Sequence, residues 1–175
     1  MNEENKKRYA LTGEDMIRLN PDSKLITYDE LNKVFNIDDL FRNTKKLIIL
    51  YLLRSKNSGH WTCLFINEKT KGYEYFDSYG RAEDEQLDRL SIMERIEYNE
   101  QQDRLRLLLK NKLVIYNNVV LQGPGTKTCG CHTTFRLHTT HKTLKEYIDF
   151  FLKNNIKDVD DYVASYCLKL FNKLK

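Results

Sequence analysis

A continuous apolar run near the middle of the chain most restricts the folds open to it. Residues 46–53 read Lys-Leu-Ile-Ile-Leu-Tyr-Leu-Leu, which is the length of a strand and far too short for a membrane span. Because the apolar side chains fall on both faces, the pattern indicates a strand buried on both sides. The run is therefore predicted to be the central strand of a sheet.

Two further apolar runs follow directly and predict a β-hairpin. They cover residues 58–66 and 73–77, and the polar segment 67–72, which contains a glycine, separates them. Antiparallel pairing brings the start of the first strand beside the end of the second. His60 and Asp77 are therefore expected to be neighbours.

The remaining patterned segments indicate one more strand and a set of helices. Residues 113–121, interrupted near Asn117, predict a strand that delivers Gln122 to the end of the sheet. Residues 1–9 are charged and are expected to fray. With helices outside and strands in the middle, the predicted class is α+β. Cap signals and periodicity predict helical segments at 12–19, 27–35, 38–41, 82–109, 144–153 and 158–174.

The stretch 121–137 carries the most informative chemistry. Gln122 precedes a Gly-Pro-Gly segment that is neither regular helix nor strand, and Cys129 stands before a run that can be helical. A thiol at a helix N-terminus lies at the positive end of the helix dipole, which favours the reactive thiolate. Cys129 is therefore predicted to be a nucleophile. The Gln122 amide and the Cys129 backbone N–H are the predicted donors to a developing oxyanion.

His60 and Asp77 are the predicted partners of this thiol. A thiol nucleophile is activated by a base, and the base is oriented by a third group. Asp77 would hold the imidazole in the tautomer that accepts the thiol proton, or stabilise the imidazolium. Glu74 lies an odd number of residues from Asp77, so its side chain points to the other face of the strand and it is the weaker candidate for the acid.

The order of these residues resembles the adenain-like cysteine proteases. That group includes the adenovirus maturation protease, proteases of large DNA viruses and virophages, and the SUMO-specific proteases. The His-to-acid interval (77 − 60 = 17) and the Gln-to-Cys interval (129 − 122 = 7) follow the adenovirus-type pattern. The resemblance covers residues 46–140 and is carried by His60-Trp61, Asp77, Gln122 and Cys129-Gly130.

Two positions depart from the family pattern. Thr128 stands where the SUMO-specific proteases usually carry Asp, and Cys131 stands where a bulkier apolar residue is expected. Cys131 is the competing nucleophile. Two residues along a helix correspond to about 200° of rotation, so both thiols cannot face one histidine.

The resemblance implies a fold, an activity and a set of substrate-binding residues. The implied fold is a central mixed β-sheet with flanking helices, of the adenain-like type within the papain-like superfamily. It would form one protease domain over residues 1–175, with a helical lead-in at 1–44, the catalytic core at 46–140 and C-terminal helices at 143–175. In the resembling proteases a tryptophan after the histidine narrows the channel beside the nucleophile. This implies substrate contacts at Trp61, Gly123, Gly125 and Gly130, and cleavage after glycine.

The implied activity is a thiol endopeptidase that cleaves viral capsid or core precursor proteins and needs no cofactor. The alternatives are a deubiquitinase or SUMO-type isopeptidase, an effector-type acetyltransferase, and a module that only binds peptides. A zinc site at Cys129, Cys131 and His132 fits poorly, because structural zinc prefers cysteine pairs spaced by two to four residues with a second pair elsewhere.

Composition and charge indicate the compartment and the partners. The net charge of +4 is mild; it permits weak association with DNA but does not require it. Four cysteines without a disulfide framework, and an N-terminus without an apolar core, predict an intracellular protein, cytoplasmic or packaged in a virion, that is not secreted and has no membrane segment. The expected partner is a protein or peptide substrate.

Overall fold

A mixed β-sheet forms the middle of the molecule. The computed structural model describes residues 1–55 and 58–174, so residues 56, 57 and 175 of the predicted domain lie outside the described residues. Across the described chain, the strands in spatial order are β1 (Lys24–Thr27), β2 (Lys46–Ser55), β3 (Ser58–Ile66), β4 (Tyr73–Phe76) and β5 (Val114–Tyr116). Strand β1 pairs with β2 and β4 with β5 in parallel, whereas β2–β3 and β3–β4 are antiparallel. The predicted mixed sheet is confirmed.

The apolar run is β2, and it is buried on both faces as predicted. Leu47 and Ile49 belong to the apolar cluster on one face, and Ile48 belongs to the cluster on the other. The hairpin is confirmed too, with Cys63 opposite Phe76 at its open end. This register places the start of β3, with His60, and the end of β4, with Asp77, at the same end of the sheet.

Helices cover the sheet on both sides, which gives the predicted α+β class. Helix α4 packs against β3 and against α6, and α1 packs near it. No helix within residues 1–55 and 58–174 is long and apolar enough to cross a membrane. The helices are α1 (Gly13–Leu19), α2 (Ile92–Glu97), α3 (Arg104–Leu109), α4 (Cys129–Leu137), α5 (Leu144–Lys153) and α6 (Val159–Lys173), with 3₁₀ helices at Tyr28–Lys33, Ile37–Phe41 and Glu85–Arg89.

The prediction of one long helix over residues 82–109 is wrong. The segment forms a 3₁₀ helix, α2 and α3, separated by turns. Asp84 and Asn99 adopt left-handed backbone conformations, with φ of 70° and 57°, which an α-helix does not accommodate. Leu87 and Met93 both belong to the apolar residues that recur at helical spacing in this segment, yet Leu87 is buried and Met93 is exposed, so periodicity alone did not reveal the breaks.

The lead-in differs from its prediction in three ways. It contains β1, which pairs with β2. This strand is too short for its sequence pattern to indicate a strand. The capping box at Thr27 is present but opens a 3₁₀ helix that ends at Lys33. Residues 1–9 do not fray, because they fold into turns and Lys6 pairs with Asp161 of α6.

The predicted strand at 113–121 is shorter than expected. Only Val114–Tyr116 pairs with β4, and the amides of Leu121 and Gln122 instead donate to Ser78 O at 2.9 and 3.0 Å. This contact still brings Gln122 to the end of the sheet, beside the turn that follows β4.

Candidate active site

The hairpin brings His60 and Asp77 together. His60 lies near the start of β3 and Asp77 directly follows β4. The His60 Nε2 and Asp77 Oδ1 atoms are 2.9 Å apart, and both side chains are buried. Because Nε2 faces the carboxylate, Nδ1 is the ring nitrogen that remains for another partner.

The Asp77 carboxylate is held by several donors besides His60. Oδ1 accepts from the Tyr79 backbone N–H at 2.8 Å, and Oδ2 accepts from the Gln86 side-chain amide. Burial alone would raise the pKa of Asp77, but His60, Gln86 and the Tyr79 N–H together hold this pKa below its ordinary value. Asp77 is therefore an anion at neutral pH. The sequence analysis missed Gln86, because it placed residue 86 in a single outer helix.

Cys129 begins α4 and hydrogen-bonds to His60. Burial would raise the pKa of Cys129, but the bond and charge of His60, with backbone bonds to Trp61 and Gly130, make this pKa lower than its ordinary value. Burial would likewise lower the pKa of His60, yet Asp77 and Cys129 raise it to about 10. The two shifts favour an imidazolium–thiolate pair. Cys129, taken as a whole residue, is half-buried.

An aromatic ring covers the imidazole. Tyr79 stacks on His60 with ring centroids 5.0 Å apart, and the Arg89 guanidinium lies 4.8 Å from the centre of the Tyr79 ring. This stack restricts rotation of the imidazole away from Asp77. Sequence reasoning did not find Tyr79, although its position two residues after the acid could have suggested proximity.

The Gln122 side chain has a defined orientation. Its Oε1 accepts from the Ser78 hydroxyl at 2.7 Å, and its Nε2 donates to Thr126 O at 3.2 Å. An amide nitrogen carries two hydrogens, so one is left for a further acceptor. Ser78 is an additional residue that fixes the orientation of this amide, and the role of Gln122 as an oxyanion donor stays a prediction.

The residues predicted to contact substrate lie around this centre in different ways. Gly123 and Gly125 belong to the loop before α4, and Gly125 has a φ of 78° with open space where a side chain would stand. Trp61 is mostly buried, and its indole N–H donates to Leu11 O at 2.9 Å. A Cβ added at Gly130 would meet Leu11 at 3.0 Å, so this glycine permits close packing on α4. Their substrate contacts stay predictions.

The weaker candidates lie away from this centre. Cys131 is fully buried and hydrogen-bonds to Cys167, and this contact, together with burial, raises the pKa of Cys131 well above its ordinary value. Glu74 points to the other side of β4, where it forms an ion pair with Arg136. Within residues 1–55 and 58–174, no group of three or more His, Cys, Asp or Glu side chains could hold a metal ion.

The structure also contains a second histidine–carboxylate pair, which the sequence analysis did not predict. His132 Nε2 lies 3.0 Å from Asp160 Oδ1, and both residues are buried below the loop that carries Gly123. Asp160 comes from α6, distant in sequence, so no local spacing rule could have linked it to this loop.

Comparison with known proteins places the chain among viral relatives. No family model matches it. It is 31% identical over 151 residues to the V9 protein of Sputnik virophage, covering 81% of this chain and 85% of V9. Among solved structures, the central domain of the Lpg1148 protein from Legionella pneumophila has a TM-score of 0.50 at 17% identity, covering 96% of this chain and 100% of that domain.

The SUMO protease Ulp1 has a TM-score of 0.44 at 16% identity, covering 96% of this chain and 81% of Ulp1. The mixed sheet with flanking helices agrees with the fold that the adenain-like resemblance implied. The chain thus belongs to the family of the Sputnik virophage V9 protein, and its fold is similar to that of the Lpg1148 central domain.

Proposed function

We propose that this protein is a cysteine endopeptidase whose nucleophile is Cys129. His60 is the base and general acid, Asp77 orients His60, and Gln122 with the Cys129 backbone N–H forms the oxyanion hole. The observation that carries the proposal is the position of His60 between an anionic carboxylate and a thiol with a lowered pKa. The reaction requires a thiol nucleophile beside the base and a third group that orients the base, and Cys129 and Asp77 are these two neighbours of His60.

The reaction balances with these groups alone. The Cys129 thiolate adds to the peptide carbonyl carbon, and the carbonyl oxygen becomes an oxyanion that the Gln122 amide stabilises. The C–N bond then breaks, and the leaving amine takes the proton of the His60 imidazolium. Water, deprotonated by His60, next attacks the thioester, which releases the acid and restores the thiolate. Removing one oxyanion donor typically slows such chemistry by about 10²–10³-fold.

A viral precursor protein is the proposed substrate. Membership of the family of a virophage protein supports a role in a virus-like particle, where capsid or core precursors are the proteins available for trimming. The proposed site of cleavage follows glycine. The Trp61 backbone contributes to the lowered pKa of the Cys129 thiol, which supports a position of this residue beside the nucleophile.

The deciding experiment is a peptide library randomised at the two positions before the cleaved bond, read by mass spectrometry. We expect cleavage after glycine, and none by the Cys129→Ala protein. Efficient cleavage after Phe or Leu would contradict the narrow channel. The absence of any Cys129-dependent cleavage, with this library and with a library of capsid precursor segments, would contradict the peptidase proposal.

The alternatives within the fold are separated by reactive probes. Ubiquitin-type and SUMO-type probes that end in a thiol-reactive group label a protease for such modifiers at Cys129, whereas we expect no labelling above that of a scrambled probe. Acetyl transfer from acetyl-CoA to a test protein would instead identify an acetyltransferase.

A further inference from the structure

The carboxylate of Asp160 hydrogen-bonds to the loop that connects Gln122 to Cys129. Oδ2 accepts from the Gly123 backbone N–H at 2.7 Å, and Oδ1 accepts from the Thr128 hydroxyl. The two bonds hold the first and last residues of the segment 123–128. One side chain of α6 thus fixes both ends of the loop that lies before the nucleophile.

The middle of the loop is tied to the same centre. The Thr126 hydroxyl donates to Gly123 O at 2.9 Å and lies 3.1 Å from the Thr128 hydroxyl. Thr126 O is the acceptor of the Gln122 side-chain amide. The orientation of this amide therefore depends on a loop conformation that Asp160 holds.

His132 completes the set of donors to Asp160. Its Nε2 bonds to Oδ1, while its buried Nδ1 has no partner in the part of the chain that the structure describes. A neutral imidazole with its hydrogen on Nε2 satisfies this arrangement, because the bare Nδ1 needs no acceptor. Asp160 also lies in the first turn of α6, where the helix dipole favours a negative charge. The centre is therefore a buried carboxylate that accepts from Gly123, Thr128 and His132, with the Thr126 hydroxyl 3.3 Å from Oδ1.

We propose that Asp160 is a positioning residue of the hydrolytic site. It acts on the Gln122 amide through the loop 123–128 and touches neither the substrate nor the Cys129–His60–Asp77 group. This inference rests on the proposed function. It predicts that loss of Asp160 impairs steps that build up an oxyanion and spares the reactivity of the thiol itself.

Two reactions of Cys129 separate these effects. Alkylation by iodoacetamide depends on the thiolate and forms no oxyanion at a carbonyl. Acylation by p-nitrophenyl acetate adds the thiolate to a carbonyl carbon, forms an oxyanion, and expels nitrophenolate with the electrons of the broken C–O bond. For Asp160→Asn we expect acylation slowed by about 10-fold to 100-fold, and alkylation within about twofold of wild type with an unchanged pH profile.

A double variant tests whether Asp160 acts through Gln122. Because Asp160 is proposed to act through Gln122, the protein with Asp160→Asn and Gln122→Ala should acylate no more slowly than the one with Gln122→Ala alone. Independent roles would give the product of the two single effects. Thr128→Val removes one donor to Asp160 and should likewise slow acylation while leaving alkylation unchanged. This variant replaces Asp160→Asn if the Asp160→Asn protein does not fold.

The matched control is Asp161→Asn, at the next position of α6. Asp161 pairs with Lys6 and has no contact with the loop, so both rates should match wild type. If wild type shows no acylation at Cys129, the proposed function fails. If wild type acylates, two results would overturn the inference alone: an Asp160→Asn rate within about twofold of wild type, or equal losses in acylation and alkylation.

Discussion

At the scale of single residues, the proposed chemistry depends on one imidazole between two acidic groups. Asp77 holds the His60 imidazole from one side, and Cys129 hydrogen-bonds to it from the other. Each partner favours the protonated imidazole, so the thiol loses its proton more readily than an isolated cysteine does. The other thiols lack such a neighbour. Cys63 is buried, and burial raises the pKa of its thiol.

We therefore expect iodoacetamide at neutral pH to label Cys129 selectively. Cys131 should stay unlabelled, because it is buried with a pKa raised well above the ordinary value. As pH falls through the lowered pKa of Cys129, the thiolate is protonated and the labelling rate should drop. Tryptic mass spectrometry gives the site, with Cys131→Ser as the matched variant that keeps its activity. Equal labelling of Cys129 and Cys131, or turnover by Cys129→Ala, would contradict the assignment.

Asp77→Asn should cut turnover by about 10²–10⁴-fold, because an amide neither stabilises the imidazolium nor holds its tautomer. The Asp77 carboxylate is fully buried and accepts from Tyr79 and Gln86. Asp77→Ala should therefore also lower the free energy of unfolding. Steady-state rates and urea denaturation separate the two effects. Glu74→Gln is the comparison for the alternative acid, and near-wild-type turnover by Asp77→Asn would contradict the role.

At the scale of secondary-structure elements, a buried ion pair joins β4 to the end of the nucleophile helix. Arg136 of α4 donates to both oxygens of Glu74 at 2.8 Å, and its guanidinium lies 4.8 Å from the ring centres of both Phe65 and Tyr147. The pair fixes the far end of α4 to the sheet. The other end, at Cys129, is thereby held near His60.

Removing one partner of this pair should be costly. We expect Arg136→Met to lower the free energy of unfolding by about 3–5 kcal/mol, because it leaves the Glu74 carboxylate buried without a counter-ion. A variant with Glu74→Leu as well should recover part of the loss, since no unpaired charge remains. Urea denaturation of both variants measures the coupling. Additive losses in the double variant would show that the two residues do not depend on each other.

A second element-scale contact makes stability depend on pH. Glu100, in the segment between α2 and α3, accepts from the Leu52 N–H of β2 at 3.1 Å. Burial raises the pKa of Glu100 to about 7, so the folded state retains a proton that the unfolded chain loses near its ordinary value. Stability should therefore fall as pH rises from about 4.5 to 7. Asp84, whose pKa burial raises to about 6, acts in the same direction.

The measurement is urea denaturation at pH 5 and pH 8. The loss of stability between these values should be smaller for Glu100→Gln, which removes one of the titrating groups. Glu97→Gln, an exposed neighbour on α2, is the matched control and should keep the full loss. An identical pH dependence for wild type and Glu100→Gln would contradict the assignment.

At the scale of the whole molecule, local patterns predicted the hairpin and the nucleophile helix, but not what supports them. His60 and Asp77 were predictable as neighbours because alternation and a polar turn fix a hairpin register. The contact of Asp160 depends on the tertiary fold, since Asp160 is 37 residues from Gly123 in the sequence. Gln86 lies only nine residues from Asp77, but it belongs to a 3₁₀ helix that the pattern did not predict. Polar helix formers at 82–109 also hid the left-handed residues Asp84 and Asn99.

The order of the N-terminal segment, residues 1–9, also depends on tertiary contacts. Lys7 O accepts from the Lys127 N–H at 2.9 Å, within the loop before the nucleophile, and Leu11 O accepts from the Trp61 indole. Charge-rich composition had indicated fraying. These contacts instead connect the segment to the loop, to β3 and, through Lys6, to α6.

Deleting residues 2–8 should therefore loosen the site from a distance. Lys127 loses its acceptor, so its amide hydrogen should exchange faster, and the free energy of unfolding should fall by about 1–3 kcal/mol, as expected for a few lost hydrogen bonds. The control is Lys6→Ala, which removes only partly exposed ion pairs worth about 0–1 kcal/mol and leaves the Lys7 carbonyl in place. Native-state hydrogen exchange read by mass spectrometry reports on residues 123–128 directly. Unchanged protection of that loop in the deleted protein would show that the segment does not hold it.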